Sequence, residues 1–232
     1  MVTSKARAEV VSIPIGSIEL NGTLTLPDDP FGIVVFAHGS GSSRHSPRNK
    51  YVADVIQNAG LGTLLFDLLT LDEEAEDQYT REFRFDIALL ARRLVETAQW
   101  LRSHPETNDL KIGLFGSSTG GGAALVAAAE LGDIVGAVVS RGGRPDLAGD
   151  ALPHVKAPVL LLVGGLDDVV MEINERAYAR LNCEKRLTVI PGATHLFEER
   201  GKLEEVAALA ADWFKRYLNA SNDKSLRQHA VG

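Results

Sequence analysis

The chain has 232 residues, 45% of them hydrophobic and 24% charged, with a net charge of −7. That balance suits one α/β domain and carries no basic footprint for nucleic acid. The single cysteine, Cys183, excludes an internal disulfide and any metal site built from several thiolates.

Targeting signals are not evident. The opening stretch MVTSKARAEV lacks the apolar core of a secretory signal, and no apolar run approaches the roughly 18 residues that cross a bilayer. A cytoplasmic protein with no membrane partner is expected.

In chain order, short β-branched runs alternate with longer helical patterns. Strands are predicted over 8–14, 17–27, 32–38, 61–67, 111–115, 134–140, 157–165 and 186–192. The first two runs, separated by IGS, suggest a hairpin at one edge. From residue 32 onward most runs are almost wholly apolar, as in a parallel sheet covered on both faces. Between them, 47–60 has Pro near its start and Gly at its end, the usual helix asymmetry. Residues 81–103 place Phe85, Leu89, Leu90, Leu94, Ala98 and Leu101 at helical spacing, and 202–218 repeats the pattern with Leu203, Val206, Leu209, Ala210, Trp213 and Tyr217. The acidic stretch 69–82 reads as a surface loop. The alternation predicts a doubly wound α/β fold.

In such a sheet, chemistry collects at the carboxyl ends of the strands. The run IGLFGSSTGGGAALVAAAE (112–130) leads from a strand through glycines into an alanine-rich helix. A nucleotide loop would need Lys and then Ser or Thr after its last glycine, but Ala123 and Ala124 follow Gly122. A dinucleotide loop would need a different glycine spacing and an earlier place in the chain. G-x-S-x-G instead fits an elbow that raises Ser118 as a nucleophile, with the Thr119 amide beside it at a helix N-terminus. A serine at its free pKa needs a base, and the base needs an orienting acid. His195 follows the last strand and Asp167 follows the seventh. The loop after the third strand, HGSG, offers the Ser40 amide as a second oxyanion donor, and His38 there would shape the turn by hydrogen bonding.

Other strand ends carry further candidates. Arg141 and Arg144, in SRGGRPDL, could hold a substrate carboxylate in a bidentate pair, with an ion pair to Asp146 or Asp150 as the alternative. Asp67 is either structural or part of the site wall.

The pieces FAHGSGSS, GLFGSSTGGG, LLVGGLDDVV and IPGATHLFEE resemble the α/β-hydrolases, and within them the dienelactone-hydrolase-like branch. They span 36–199. The family's G-x-x-D-x-x-V pattern runs from Gly164 to Val170 and selects Asp167 over Asp168. The resemblance implies an α/β-hydrolase fold over 1–219, a mostly parallel eight-stranded twisted sheet with helices on both faces. It also implies a Ser-His-Asp triad of Ser118, His195 and Asp167, with no metal and no cofactor. Dienelactone hydrolases proper use a cysteine nucleophile, whereas this chain has Ser118, which favours a simple ester or another acyl compound. Some similar sequences are fused to a phosphoribosyltransferase domain.

The 141–156 connection is too short for a cap domain, so an open site is expected. The polar tail 220–232 is expected to be disordered. The activity expected is esterase-like hydrolysis of small-molecule acyl substrates. Lactone hydrolysis, acyl transfer or perhydrolysis at the same site are the alternatives, and a non-catalytic binding module is a further one.

Overall fold

The computed structural model describes residues 6–219; the predicted tail at 220–232 lies outside them. Eight strands form one sheet: β1 (Arg7–Ile15), β2 (Ile18–Leu26), β3 (Gly32–Ala37), β4 (Gly62–Phe66), β5 (Lys111–Ser117), β6 (Val135–Arg141), β7 (Val159–Gly164) and β8 (Lys185–Ile190). Their spatial order is β1-β2-β4-β3-β5-β6-β7-β8. The hairpin partners β1 and β2 are antiparallel, and β2 is antiparallel to β4. All later pairings are parallel. This is the α/β-hydrolase architecture the sequence predicts.

The all-apolar strands are explained by what covers them. Every residue of β3, β4 and β7 is buried. On one face the core takes Leu94 and Ala98 of α3 (Ile87–Ser103) and Ala124 and Ala128 of α4 (Thr119–Leu131). The other face packs Val52 and Ile56 of α1 (Pro47–Asn58) against Val206, Ala210 and Phe214 of α6 (Lys202–Leu218). A helix that is apolar on every side must be buried on every side. α4 meets that condition, with ten of its residues buried from Thr119 to Leu131. α5 (Asp168–Arg180) follows β7. The β6–β7 connection holds only a kinked 3₁₀ stretch, Pro145–His154, and no cap domain.

The acidic segment departs from expectation. It is not a loop: residues Leu71–Thr80 form a helix, α2. Its start is a capping box, with the Thr70 hydroxyl accepting from the Glu73 amide and the Glu73 carboxylate accepting from the Thr70 amide. Asp72, Glu73 and Glu74 fill the first turn, where the helix dipole favours negative charge. The acidity that suggests a solvated loop is therefore an N-terminal helix signal. The following helix also starts later than predicted. Arg81 ends α2 in the left-handed conformation, Phe83–Phe85 make a 3₁₀ turn, and α3 begins only after the Asp86 cap. Phe85 is 55% exposed and does not join the apolar stripe.

Polar groups, not apolar packing, hold α2 down. Asp77 is buried, accepts from the amides of Phe83 and Arg84, and pairs with the Arg84 guanidinium. Buried Arg93 of α3 reaches Glu73 and the Leu68 carbonyl. Burial pushes the Asp77 carboxyl up, but the Arg84 amide and guanidinium outweigh it and leave the group below its ordinary range. Glu73 is likewise lowered: burial raises it, and Arg93 and Thr70 more than offset that. Both carboxyls titrate lower folded than unfolded. Their stabilisation is complete above the ordinary carboxylate range, about pH 4, and is lost as pH falls through the folded values. Amide hydrogen exchange across 71–85 should therefore accelerate on acidification before the sheet amides respond. Asp77→Ala should free this segment at neutral pH at a cost of about 3 kcal/mol, read by limited proteolysis.

Candidate active site

The elbow forms because glycines let α4 press onto the strands. A Cβ at Gly120 would sit 2.3 Å from the Ala37 carbonyl oxygen, and one at Gly116 2.4 Å from that of Gly120. The chain must turn from β5 into α4 in one residue. That residue is Ser118, at φ 51° and ψ −122°, a region that costs a non-glycine residue about 1–3 kcal/mol. Three backbone hydrogen bonds hold it there. The Ser118 amide donates to the Arg141 carbonyl (3.3 Å), and the Ser118 carbonyl accepts from the amides of Gly121 (3.0 Å) and Arg144 (2.9 Å).

His195 is brought to the same rim through backbone contact between two loops. A Cβ at Gly164 would lie 2.5 Å from the Ala193 carbonyl oxygen, and the Leu166 amide donates to that carbonyl at 2.9 Å. The loop after β7 is thus locked to the loop after β8. Asp167 Oδ2 then accepts from His195 Nδ1 at 2.7 Å. That bond leaves Nε2 as the acceptor of the ring. His195 packs over Gly142, where a Cβ would come within 3.6 Å of its Cε1. Gly142 follows Arg141, whose carbonyl holds the Ser118 amide, so both side chains are referenced to one stretch of backbone. Among the described residues the Ser118 hydroxyl has no hydrogen-bond partner, and the structure joins His195 to Asp167 but not to Ser118.

Two supports of this loop were not legible in the sequence. Glu199 clasps it, accepting from the Thr194 hydroxyl (2.6 Å) and amide (3.2 Å). The Thr194 hydroxyl bond holds the Glu199 carboxyl below its usual range. Phe197, fully buried at φ 57°, anchors the loop's far end.

The loop after β3 lies directly against the elbow, since a Cβ at Gly39 would be 3.1 Å from Ser118 Cβ. The Ser40 amide donates to the Thr119 hydroxyl at 3.0 Å. The two expected oxyanion donors are therefore adjacent. His38 shapes the turn: its Nδ1 bonds the Gly39 carbonyl (3.0 Å) and its Nε2 accepts from the Leu68 amide (3.1 Å). This arrangement requires the neutral ring, and burial lowers its pKa accordingly. Asp67 accepts from the Arg44 amide at 2.8 Å and pairs with its guanidinium, pinning the far side of the loop. Between this loop and α2 lies a cavity of about 270 Å³, lined by His38, Ser40, Asp67, Glu74, Arg84 and Thr119 among others.

The two arginines behave differently. Arg144 is bound by Asp146 through two bonds, of 2.9 and 2.7 Å, the ion-pair alternative of its two readings. Arg141 is 7% exposed, lies 5.8 Å from the Phe115 ring centroid, and has no carboxylate partner among the described residues. Among the described residues no cluster of His, Cys, Asp or Glu could hold a metal ion, and no helix is long and apolar enough to cross a membrane.

Comparison with known proteins identifies the family. The sequence profile of the dienelactone hydrolase family matches residues 20–223. The chain belongs to the dienelactone hydrolase family. It is 60% identical to a dienelactone hydrolase from Anabaena variabilis ATCC 29413, with a TM-score of 0.90 over 91% of this chain and 98% of that one. Est1E from Butyrivibrio proteoclasticus shares the fold at a TM-score of 0.74 and 17% identity, over 88% of this chain and 97% of that one. Two Mycobacterium tuberculosis proteins, 59% identical over 212 residues, carry the provisional name phosphoribosyl transferase. The match takes in 91% of this chain but 47% of theirs, so the chain spans about half the length of these relatives.

The elbow's dependence on close backbone approach is testable. Gly120→Ala should lower the denaturant midpoint by an amount equivalent to about 1–3 kcal/mol, as expected for forced overpacking. Ala129→Gly, in the same helix but partly exposed, should cost only the roughly 1 kcal/mol of an ordinary helix glycine.

Proposed function

We propose that the protein is a serine esterase that cleaves small carboxylic esters through an acyl-enzyme. The observation that carries this reading is Ser118 held in a strained elbow while the Asp167–His195 pair faces the same strand ends. Ser118 Oγ attacks the ester carbonyl as His195 Nε2 takes its proton. Asp167 keeps Nδ1 protonated and stabilises the imidazolium. His195 then gives the proton to the departing alcohol, and water repeats the sequence to release the acid. In unliganded enzymes such hydrogen bonds are often long and tighten only with substrate, which accords with the unpartnered Ser118 hydroxyl.

The tetrahedral oxyanion is received by the amides of Ser40 and Thr119. In the resting state the Ser40 amide is occupied by the Thr119 hydroxyl. The oxyanion, a stronger acceptor than a neutral hydroxyl, displaces it. One such donor is worth about 3–4 kcal/mol in the transition state. The neighbouring cavity, of about 270 Å³, receives one arm of the ester. The other arm leaves past Leu166, Val169 and Leu196, all exposed beside Asp167 and His195. With no cap over this rim, an apolar alcohol can depart directly into water.

Arg144 is assigned to shaping the elbow, through its amide bond to Ser118 and its pair with Asp146. The phosphoribosyl transferase name of the mycobacterial relatives belongs to proteins about twice the length of the matched segment. The esterase reading concerns the matched segment alone.

Ser118→Ala and His195→Ala should each lower kcat on a short-chain aryl ester by about 10⁴–10⁶-fold, with the melting temperature kept or raised at position 118. Activity within tenfold of the unsubstituted protein would refute the assignment. Supplying a competing alcohol or peroxide and identifying the products would separate hydrolysis from acyl transfer.

A further inference from the structure

Arg141 is a buried charge with no carboxylate partner among the described residues. Its side chain shares the β6 face of Ala137 and Val139, which pack in the core formed with α1 and α6. Ser117, its lateral partner on β5, donates its hydroxyl to Asn49 of α1 at 3.2 Å. Arg141 therefore lies at the carboxyl end of the sheet, under the turn that carries His195. It is 7% exposed, and its Nη1 is buried without a hydrogen-bond partner.

A guanidinium stays protonated in proteins, and removing it from water costs several kcal/mol unless an anion or acceptors replace the solvent. The Phe115 face returns only about 1–2 kcal/mol of that. A like-charged neighbour makes matters worse. Burial, with the like charge of Arg48 in the first turn of α1 added to it, pushes the Arg141 guanidinium down to a pKa of about 10. Arg48 has a buried unpartnered nitrogen of its own, Nε, and only its outer Nη1 is paired, to exposed Glu198 at 2.6 Å. Two neighbouring cations, each with a buried unpaired N–H, match a single shared acceptor carrying one negative charge.

We propose that Arg48 and Arg141 form a binding site for a compact monoanion behind the His195 loop. Either a halide from the medium or a carboxylate on the substrate supplies that chemistry; only the second source rests on the esterase reading. An anion there compensates both guanidinia and firms the base of the turn through Gly142 to His195.

The test has two arms, both on the full chain. In the first, melting temperature is followed against bromide, with ionic strength held constant by the bulky HEPES anion, and crystals soaked in bromide are read by anomalous diffraction. The site predicts a saturating rise in melting temperature, as for any ligand of the native state. It also predicts an anomalous peak between the two guanidinia. Arg48→Met should weaken the apparent bromide affinity at least tenfold, and Arg141→Met should abolish the response. Should Arg141→Met fail to fold, Arg141→Lys, which keeps the charge but loses the fork, should show the same weakening.

In the second arm, kcat/KM is compared for aryl esters of equal length ending in a methyl or a carboxylate. A preference for the carboxylate that Arg141→Lys reduces at least tenfold assigns the site to substrate. A bromide response without that preference assigns it to a medium anion. If neither arm responds, the two guanidinia are served by buried water and the proposal is overturned. Bromide binding in a protein inactive on every ester would sink the esterase reading and leave the anion site standing.

Discussion

The architecture turns on the distance between α4 and the strands beneath it. Gly120 lies so close to the end of β3 that a methyl group would overlap the Ala37 carbonyl. Because the helix sits this close, β5 cannot reach it through a relaxed turn, and Ser118 absorbs the whole reversal at positive φ. The strain is offset by backbone bonds to Arg141, Gly121 and Arg144. Those bonds tie the elbow to the end of β6, and the end of β6 is where His195 rests, over Gly142. The position of the histidine relative to the serine is thus fixed by main-chain contacts. A main-chain reference frame is stiffer than one built from long side chains, and it suits chemistry in which small displacements are costly.

Charge is arranged differently on the two sides of this frame. Toward α2, three acids each have their own cation: Asp67 with Arg44, Asp77 with Arg84, Glu73 with Arg93. These pairs and the capping box hold a short, largely polar helix that apolar packing alone would not retain. Under the His195 loop the pattern reverses, with two cations close together and one exposed carboxylate at the outer end. The first arrangement is structurally self-sufficient. The second is incomplete without a further negative charge, which is why it points to a ligand.

Much of this was readable in the sequence, and the failures have physical causes. Strands β3 to β7 were evident because parallel strands buried on both faces are continuous apolar runs, whereas the antiparallel, half-exposed β1 and β2 showed as a hairpin around IGS. The candidate triad was evident because nucleophile, acid and base each follow a different strand end in a recognisable turn. α2 was missed because its helix signal is carried by capping and dipole, Thr70 with Glu73, while hydrophobic spacing finds only buried faces. Phe85 was assigned to the apolar stripe of α3 because its spacing fits, yet the Asp86 cap starts that helix two residues beyond it. Arg93 acts through contacts made by tertiary folding, and Glu199 through a clasp on Thr194 within one irregular loop, which no helix or strand period announces. Arg141 was visible as a cation at a strand end; its lack of a partner is a property of the packed molecule alone.

The central claim is that Ser118 is the acylated nucleophile. Intact-mass spectrometry of the folded protein, quenched in acid during turnover of a slowly deacylating aryl ester and followed by peptide mapping, tests it directly. The account predicts one added acyl mass, located on the peptide containing Ser118 and absent when His195 is replaced by Ala. Turnover of the ester through an adduct on any other residue would contradict it.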